Sequence, residues 1–373
     1  MKCKIDKIYL QNMLSKVQGF TEKKSTLPIL SHVLLETDEH GLTVKATDLH
    51  TSIEVKSKCE VDEFGSCAIN GKSFFEVIRE LPDDQLQIWT ENNSKAHIVV
   101  GKFKTHMNVM DPEEYPAIDL SDVDNGFLLD SLSFKFMVDR TIFSIPASAE
   151  SDTQYTLGGA LLTSGSVADK PYIEMVTTDS RRLSVSRHVI AEVFDMGSGI
   201  IIPRKGLQEL KRLIDNKEDE SKILLTKDSI FFSSANTTAT VRLIDGKFPD
   251  HKSIISLGSY PVYSRISAVS LLNALKVCSA MVSEISNCVK FTFSKGKILL
   301  YANNPDQGDV EIPLDAEHEG EEIEINFNPR YFIDCLTHIE GDAEIRLKGS
   351  HGPCLVTSFG MEDCKWVIMP MRF

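Results

Sequence analysis

The run that most resembles a reactive site is Gly71-Lys72-Ser73, which matches the end of the phosphate-binding P-loop pattern GxxxxGK[ST]. In that loop the backbone amides of a glycine-rich turn surround the phosphates, so the pattern also needs a glycine at position 66. This chain has Ser66 there, and Gly65 is one residue too far from the lysine. The run therefore predicts the start of a helix rather than a nucleotide site.

Other catalytic and metal-binding patterns are missing from the sequence. It contains no HExxH, GxSxG or GxGxxG, its ten histidines are dispersed, and its eight cysteines include no CxxC pair. A zinc site would need clustered Cys and His, so no metal and no cofactor are predicted. The cysteines are expected to be free thiols in a reducing compartment. An enzyme whose site is assembled from distant residues stays open, because such a site leaves no motif.

One unit is repeated three times along the chain. Each unit has an apolar strand that runs into a polar turn, then a strand-to-helix junction, then a closing proline. The turns end at Asp48, Asp179 and Asn304, the junctions lie around Asn70, Pro203 and Asn328, and the closing pairs are Tyr115-Pro116, Phe248-Pro249 and Met369-Pro370. The turn and the junction move together, by 131 and 133 residues in the first step and by 125 in the second. A repeated surface is therefore expected rather than one asymmetric active site.

The pattern within each unit predicts helix, strands, helix, strands. Apolar residues at helical spacing mark leading helices that start near Leu10, Phe134 and Leu271, and middle helices that start near Leu207 and Phe332. Short alternating runs separated by Gly, Asp and Asn predict antiparallel strands with one buried face. The fold class is α+β, with three similar domains of two helices packed on antiparallel sheets. Polar, turn-rich connectors place the domains at 1–125, 126–252 and 253–373.

Length and charge restrict the function further. A chain of 373 residues is long for one core, and the balance of 42% apolar and 25% charged residues is that of a globular protein. The N-terminus lacks an apolar signal region and no stretch is long enough to span a membrane, so a soluble cytoplasmic protein is predicted. The net charge of -14 excludes promiscuous coating of DNA. It still permits a basic lining inside a concave surface, which acts within about 10 Å.

Several segments closely resemble the bacterial β sliding clamp family, the β subunit of DNA polymerase III. They run in order through the whole chain: TLPILSHVLLE (26–36), ATDL (46–49), TDSRRLSV (178–185), IIPRKGLQEL (201–210), LIDGKFPD (243–250), ANNPDQ (302–307) and the terminal VIMPMRF. The resemblance implies a non-enzymatic protein that forms half of a closed ring of six domains. The homodimer would encircle double-stranded DNA and tether the replicative DNA polymerase. A clamp loader would open the ring, and other DNA polymerases and repair proteins would share one hydrophobic cleft on each subunit.

The resemblance also implies which residues form that cleft. They are Leu157, Thr178, Ser180, Arg181, Arg182, Leu183, Pro249, Ile254, Val367, Met369, Pro370, Met371 and Arg372. Apolar Met, Pro and Leu suit an adaptable groove for an extended peptide, and Arg182 and Arg372 are expected to border it as polar guides. An alternative is that MPMRF is simply a buried final strand. The sequence departs from the commoner family pattern at Arg181, where histidine is frequent, and at Phe373, where a small aliphatic residue is usual.

Two further residue sets follow from the expected ring. The predicted DNA-binding residues are Lys23, Lys24, Arg204, Lys205, Lys211 and Arg212, because weak phosphate contacts let a protein slide. The predicted dimer contacts are Thr105, Met107 and Val109 in the first domain with Met281 and Val282 in the third, because uncovered sheet edges invite pairing. The rival interpretation from another class is an acidic repeat scaffold that binds only proteins.

Overall fold

The computed structural model describes residues 1–22, 26–91, 94–120, 126–147, 156–191, 196–214, 221–255, 260–283 and 287–372. The chain forms two compact units, one of Met1–Lys135 with Lys205–Leu243 and the other of Phe136–Arg204 with Ile244–Phe373. The middle third of the chain contributes to both units. Its later strands pair with the first third, and its earlier strands pair with the last third.

Seven α-helices lie in the described ranges: α1 (Lys7–Val17), α2 (Gly71–Glu80), α3 (Ser131–Thr141), α4 (Arg204–Leu213), α5 (Lys252–Ile255), α6 (Ala268–Met281) and α7 (Pro329–Leu336). None of these helices has both the length and the apolar character needed to cross a lipid bilayer.

The strands fall into three groups along the chain. The first third has β1 (Lys2–Asp6), β2 (His32–Asp38), β3 (Gly41–Thr47), β4 (Thr51–Ser57), β5 (Glu60–Glu63), β6 (Gly65–Asn70), β7 (Gln85–Glu91), β8 (Lys95–Val100) and β9 (Phe103–Met110). The middle third has β10 (Phe127–Asp130), β11 (Gly159–Val167), β12 (Lys170–Thr178), β13 (Arg182–Val189), β14 (Ile200–Pro203), β15 (Lys222–Leu225), β16 (Ser229–Ser234) and β17 (Thr237–Arg242). The last third has β18 (Val262–Ser267), β19 (Val289–Ser294), β20 (Lys297–Asn304), β21 (Gly308–Asp315), β22 (Glu317–Glu319), β23 (Ile323–Phe327), β24 (Asp342–Leu347), β25 (Cys354–Ser358) and β26 (Met361–Ile368).

The first unit is built on one sheet of thirteen strands. Its order is β10-β15-β16-β17-β4-β3-β2-β6-β9-β8-β7-β1-β5, and each of its strand pairs is antiparallel. Helix α1 packs on β3 and β4 through its buried Leu10, Leu14 and Val17. Full burial of each such side chain contributes about 1.5–3 kcal/mol. Helix α4 lies so close to β17 that a Cβ on Gly206 would be 2.3 Å from Val241, which explains the glycine there.

The second unit contains two antiparallel sheets. Nine strands run in the order β14-β11-β12-β13-β26-β25-β24-β18-β22, and four run in the order β21-β20-β19-β23. Aromatic rings fill the core between α6, α7 and the smaller sheet: Phe291 and Phe327 each have their ring centroid 5.0 Å from that of Phe332. Trp366 is buried, and its indole N–H donates to the Arg140 carbonyl at 3.0 Å. Helices on antiparallel sheets are the α+β class predicted from the sequence.

The repeated polar turn is held by hydrogen bonds from backbone groups to its own side chains. In the first sequence repeat, the Asp48 carboxylate accepts from the amides of His50 and Thr51, at 2.9 and 2.6 Å. The Thr47 hydroxyl donates to the Thr51 carbonyl at 3.1 Å and accepts from the Leu49 amide at 3.0 Å. Leu49 has a φ of 75°, a strained value for leucine that these bonds hold in place.

The second sequence repeat has the same turn. The Asp179 carboxylate accepts from the amides of Arg181 and Arg182, at 3.0 and 2.9 Å. The Thr178 hydroxyl donates to the Arg182 carbonyl at 2.6 Å and accepts from Ser180, whose φ is 69°. In the third sequence repeat, the Asn304 side chain accepts from the Asp306 amide at 3.1 Å. In all three turns the Asp or Asn side chain accepts from the amide two residues later, as the repeated sequence pattern indicated.

The repeated junctions are helix starts. Asn70 caps α2 by accepting from the Ser73 amide at 3.0 Å, and Asn328 caps α7 by accepting from the Arg330 amide at 3.0 Å. Pro329 occupies the first position of α7, where its missing N–H costs nothing. The prediction that the Gly71-Lys72-Ser73 run begins a helix is confirmed.

Candidate functional site

Strand pairing joins the two segments that the cleft requires. Strand β13 pairs with β26, so Leu183 lies opposite Val367 although 184 residues separate them in the sequence. Beyond the end of β26, the Met369 amide donates to the Arg181 carbonyl at 2.9 Å. The Thr178–Arg182 turn and the C-terminal residues therefore lie side by side.

The floor of this surface is apolar. Leu157, Leu183 and Val367 are all buried in one cluster of side chains, and the half-buried Ile254 packs against the same cluster. Pro249 is exposed, next to the buried Phe248 that belongs to the cluster. The structure thus brings together the apolar residues that the sequence assigned to the second and third thirds of the chain.

The terminal run VIMPMRF is divided between strand and tail. Strand β26 ends at Ile368, and Val367 and Ile368 are each only 1% exposed. Met369 is 39% exposed, and the residues up to Arg372 lie outside the strand. The Met371 amide donates to the Asn326 carbonyl at 2.8 Å, which fixes the path of the tail. Only the first two residues of the run are buried strand, while Phe373 lies outside the described residues.

A cavity of about 280 Å³ opens beside this tail. It is lined by Arg181, Asn328, Tyr331, Met369, Pro370, Met371 and Arg372. The sequence-based prediction missed Asn328 and Tyr331. The available signal was the repeat itself, because Asn328 is the cap at the third strand-to-helix junction and Tyr331 lies in the turn of helix that follows.

Arg182 has a different role from the one predicted. Its side chain is 12% exposed, and its guanidinium donates to Asp179 at 3.0 Å, to Asp334 at 2.6 Å and to the Phe143 carbonyl. It also lies 4.6 Å above the ring of Tyr331. Arg182 therefore ties the turn to α7 inside the protein, so it is not a polar guide at the rim. The exposed arginines at the rim are Arg181 and Arg372.

Thr178 and Ser180 also act inside the turn. Thr178 is buried, and its hydroxyl bonds to two backbone groups of the turn described above, the Arg182 carbonyl and the Ser180 amide. Ser180 is exposed at the position of positive φ. They shape the cleft through the backbone that carries Arg181.

The predicted DNA-binding residues are held by groups of the protein itself. Arg204 donates to the Ile145 carbonyl, and burial together with the nearby Arg182 charge lowers the pKa of its guanidinium. Lys205 forms an ion pair with Asp48, whose side chain is 8% exposed. Burial alone would raise the pKa of Asp48, but Lys205 and the amides of Thr51 and His50 outweigh it, and the net pKa is lowered.

The other predicted DNA-binding residues lie on α4 or outside the described ranges. Arg212 donates to the Ser15 and Lys16 carbonyls at 2.5 and 2.8 Å, and it pairs with Glu209 at 2.5 Å. It therefore satisfies carbonyls at the C-terminal end of α1. Lys211 is half-buried on the same helix. Lys23 and Lys24 lie outside the residues that the structure describes.

The predicted dimer residues lie on a partly paired strand and at a helix end. Thr105, Met107 and Val109 are half-buried on one face of β9. Strand β8 pairs with β9 along its length, whereas β6 reaches only Val109 and Met110. Met281 ends α6, and the half-buried Val282 packs against the hydrophobic core of the last third of the chain.

Across the described ranges, no group of three or more His, Cys, Asp or Glu side chains is arranged to hold a metal ion. The sites described above are surfaces made of apolar side chains, arginines and backbone groups.

Comparison with known proteins identifies the family. The profiles of the DNA polymerase III beta subunit N-terminal, central and C-terminal domains match residues 1–119, 128–250 and 262–372. This chain belongs to the bacterial DNA polymerase III beta subunit family. The beta sliding clamp of Chlamydia muridarum is 31% identical over all of this chain and 99% of its own length.

Solved structures of the family agree over the whole chain. The Caulobacter crescentus beta sliding clamp is 26% identical with a TM-score of 0.91, and the Bacillus subtilis DNA polymerase sliding clamp is 25% identical with a TM-score of 0.90. In each case all of this chain and 99% of the other are covered. The fold class and the function of a DNA sliding clamp, both predicted from the sequence, are confirmed. Membership in this family of processivity factors implies DNA and a DNA polymerase as partners in general terms.

Proposed function

We propose that two copies of the chain close into a ring around double-stranded DNA in the cytoplasm and hold the replicative polymerase through the cleft beside the C-terminal tail. The three repeats would be domains of residues 1–125, 126–252 and 253–373, and the three profile matches support that division. The observation that supports ring closure is a type of strand pairing between neighbouring repeats, called a junction here. It occurs twice in the described part of the chain, and the third junction that the pattern predicts is not formed among those residues.

The junction follows one rule. Strand β4, which leaves the turn of the first repeat, pairs with β17, the last strand of the second repeat. Strand β13, which leaves the turn of the second repeat, pairs with β26, the last strand of the third. By the same rule β21 should pair with β9. In the described part of the chain, β21 pairs only with β20, and residues 103–108 of β9 pair only with β8. A second copy supplies the missing partner to each edge at once.

The third junction is proposed to follow the register of the two observed ones. At its junction, Val241 lies opposite Thr51, the first residue of β4, and Ile368 lies opposite Arg182, the first residue of β13. Each of these two residues also pairs within its own hairpin. There Val241 and Ile368 each lie opposite a residue that is four positions before the end of the neighbouring strand, which is β16 for Val241 and β25 for Ile368.

Met107 holds the same place in its own hairpin, opposite Ala96. Gly308 is the first residue of β21. The same register would place the partner's Met107 opposite Gly308, the partner's Thr105 opposite Val310 and the partner's Lys104 opposite Glu311.

The side chains of the two edges complement each other in that register. Lys104 and Glu311 are both exposed, and they would form a directly opposed pair of opposite charge. Thr105 and Val310 are half-buried and would extend the apolar inner faces. Helix α6 packs on β21, and Met281 and Val282 follow at the C-terminal end of that helix.

The middle helix adds a second contact at the first junction. Lys205, the second residue of α4, pairs with Asp48 in the turn of the preceding repeat. Lys72 is the second residue of α2, and its side chain is 74% exposed. The same geometry would bring the partner's Lys72 to the third turn, which carries Asp306. The lysine of the P-loop-like run would then serve the subunit contact.

The distribution of charge supports DNA inside the ring. The leading and middle helices of the three repeats hold twelve Lys and Arg against five Asp and Glu. The whole chain has 40 against 54. Helices that are net basic in an acidic protein can attract phosphate at short range, while the rest of the surface repels it. Non-specific contacts of this kind permit sliding.

The cleft is proposed to take an extended peptide from each partner. Its buried floor of Leu157, Leu183 and Val367 suits apolar anchors, and the exposed Arg181 and Arg372 suit acidic groups or a carboxylate. The clamp loader, the replicative polymerase, other polymerases and repair proteins would compete for it, because each subunit offers one such surface.

Retention on circular DNA tests the proposal. Labelled protein, a clamp loader and ATP are incubated with nicked circular DNA, and gel filtration measures the protein that stays with the DNA before and after the circle is cut. Retention on the circle and loss from the linear product are expected. Equal retention on both forms would indicate ordinary DNA binding. Peptide binding without any retention would favour the acidic protein scaffold.

A further inference from the structure

Two cysteines at the end of the first sheet form a pair that the clamp function does not use. Cys3 lies on β1, and Cys59 immediately precedes β5, the last strand of the sheet. Strands β1 and β5 are paired, with Lys4 opposite Glu60. Cys3 is fully buried and lies opposite Val61 of β5, and the half-buried Cys59 lies two residues before Val61, so the pairing brings both cysteines to the same end of the sheet.

The two thiols have different acidities. Hydrogen bonding by the Cys3 thiol, assisted by the Leu42 amide, lowers the pKa of the Cys59 thiol despite its partial burial and the nearby Asp38 carboxylate. The same hydrogen bond, together with burial, raises the pKa of Cys3. Cys59 is thus the more readily ionised thiol and the one that solvent reaches. The thiolate is the nucleophilic form of cysteine.

Other thiols in the chain lack this combination. Burial raises the pKa of Cys67 to about 12 and that of Cys288 to about 11. Cys67 is 1% exposed, so an oxidant in solution has little access to it. Cys288 is half-buried, as Cys59 is, which makes it a matched control for access.

We propose that Cys3 and Cys59 are a redox pair that peroxide converts to a disulfide and that cellular thiols reduce again. The Cys59 thiolate attacks one oxygen of hydrogen peroxide, the O–O bond breaks, and the released hydroxide takes a proton to leave as water. The resulting sulfenic acid is attacked by the Cys3 sulfur, which loses its proton while the S–OH bond breaks and a second water leaves. The two thiols are oxidised, and one peroxide is reduced to two waters.

The disulfide would act on the edge of the sheet. Strand β5 pairs only with β1 among the described strands, and three of its four residues are exposed. A covalent link between β1 and the residue before β5 would hold this edge in place and close a long loop of the chain. Thermal unfolding should therefore shift to higher temperature in the oxidised protein and return after reduction.

Mass spectrometry and thiol titration of the full chain test the pair. The reduced, desalted protein is treated with a small excess of hydrogen peroxide. A species lighter by two hydrogen atoms is expected, with reactive thiols under denaturing conditions falling from eight to six. Peptide mapping should join the segment that contains Cys3 to the one that contains Cys59, and dithiothreitol should reverse the change.

Variants separate the two roles. Cys59→Ser should abolish the lighter species, whereas Cys3→Ser should leave Cys59 as a sulfenic acid that dimedone traps. Cys288→Ser should behave as the wild type does. The wild-type peptide map decides the matter even if a variant folds poorly. A map that joins Cys3 to Cys67, or oxygen added at Cys288 while Cys3 and Cys59 stay reduced, would overturn the proposal.

Discussion

Reversing one charge at the proposed subunit interface should weaken the dimer, and reversing its partner should restore it. Lys104→Glu would place two carboxylates opposite each other at the pair with Glu311. Directly opposed unlike charges contribute about 0.2–1 kcal/mol on a sheet, and like charges cost a similar amount, so each pair changes by about 1 kcal/mol. A two-fold dimer contains the pair twice, which gives about 2 kcal/mol and a roughly thirtyfold rise in Kd.

Sedimentation velocity over a concentration series measures that change. Glu311→Lys alone should weaken the dimer as Lys104→Glu does, and the double variant should return to within a fewfold of the wild type. Lys227→Glu changes the net charge equally at an exposed turn between β15 and β16, so it serves as the control. The effect should shrink at high salt, because exposed charges are screened. A double variant as weak as the single ones would refute the register.

Three further predictions concern the cleft, the first turn and the DNA surface. Deleting residues 369–373 leaves β26 intact and should weaken polymerase-peptide binding by about 2–3 kcal/mol in a titration, while the dimer persists. Met371→Ala should show part of that loss, and Met361→Ala, at the other end of β26, should show none. Asp48→Asn should lower the free energy of unfolding by about 1–2 kcal/mol at pH 7. Because the pKa of folded Asp48 is depressed, its stabilisation is complete above the unfolded pKa of about 3.9, and the difference should vanish in urea titrations as the pH falls through the folded pKa. Replacing Lys24 and Lys211 with glutamate should make the salt dependence of DNA binding shallower by about one unit per lost phosphate contact, with peptide affinity unchanged.

The structure decides which residues make these tests interpretable. Leu183 is 3% exposed, so its truncation would cost about 2–5 kcal/mol of folding stability and confuse a binding measurement. Lys205→Glu would bring a second carboxylate to the buried Asp48. Met371 is half-buried, and it can be shortened with less damage to the core.

The repeat and its local chemistry could be determined from the sequence alone. The Thr-Asp turns at Asp48 and Asp179 and the caps at Asn70 and Asn328 depend on hydrogen bonds that span only a few residues. Helical and alternating spacing is likewise a local property, because it records which side of each element is buried. The class of fold and the helix start at Gly71 followed from such patterns, whereas the resemblance to the sliding clamp family rested on matching segments such as LIDGKFPD and VIMPMRF.

Only the tertiary structure decided what each local element meets. The pairing of β13 with β26 sets Leu183 against Val367 and brings together the two segments of the proposed cleft. The same packing turns Arg182 inward to Asp334 and adds Tyr331 to the cavity wall. A strand's hydrophobic pattern fixes its buried face but leaves its edge partner open, and a charged residue's role depends on the group that packing brings opposite it. Those partners lie more than a hundred residues away, where local periodicity carries no information.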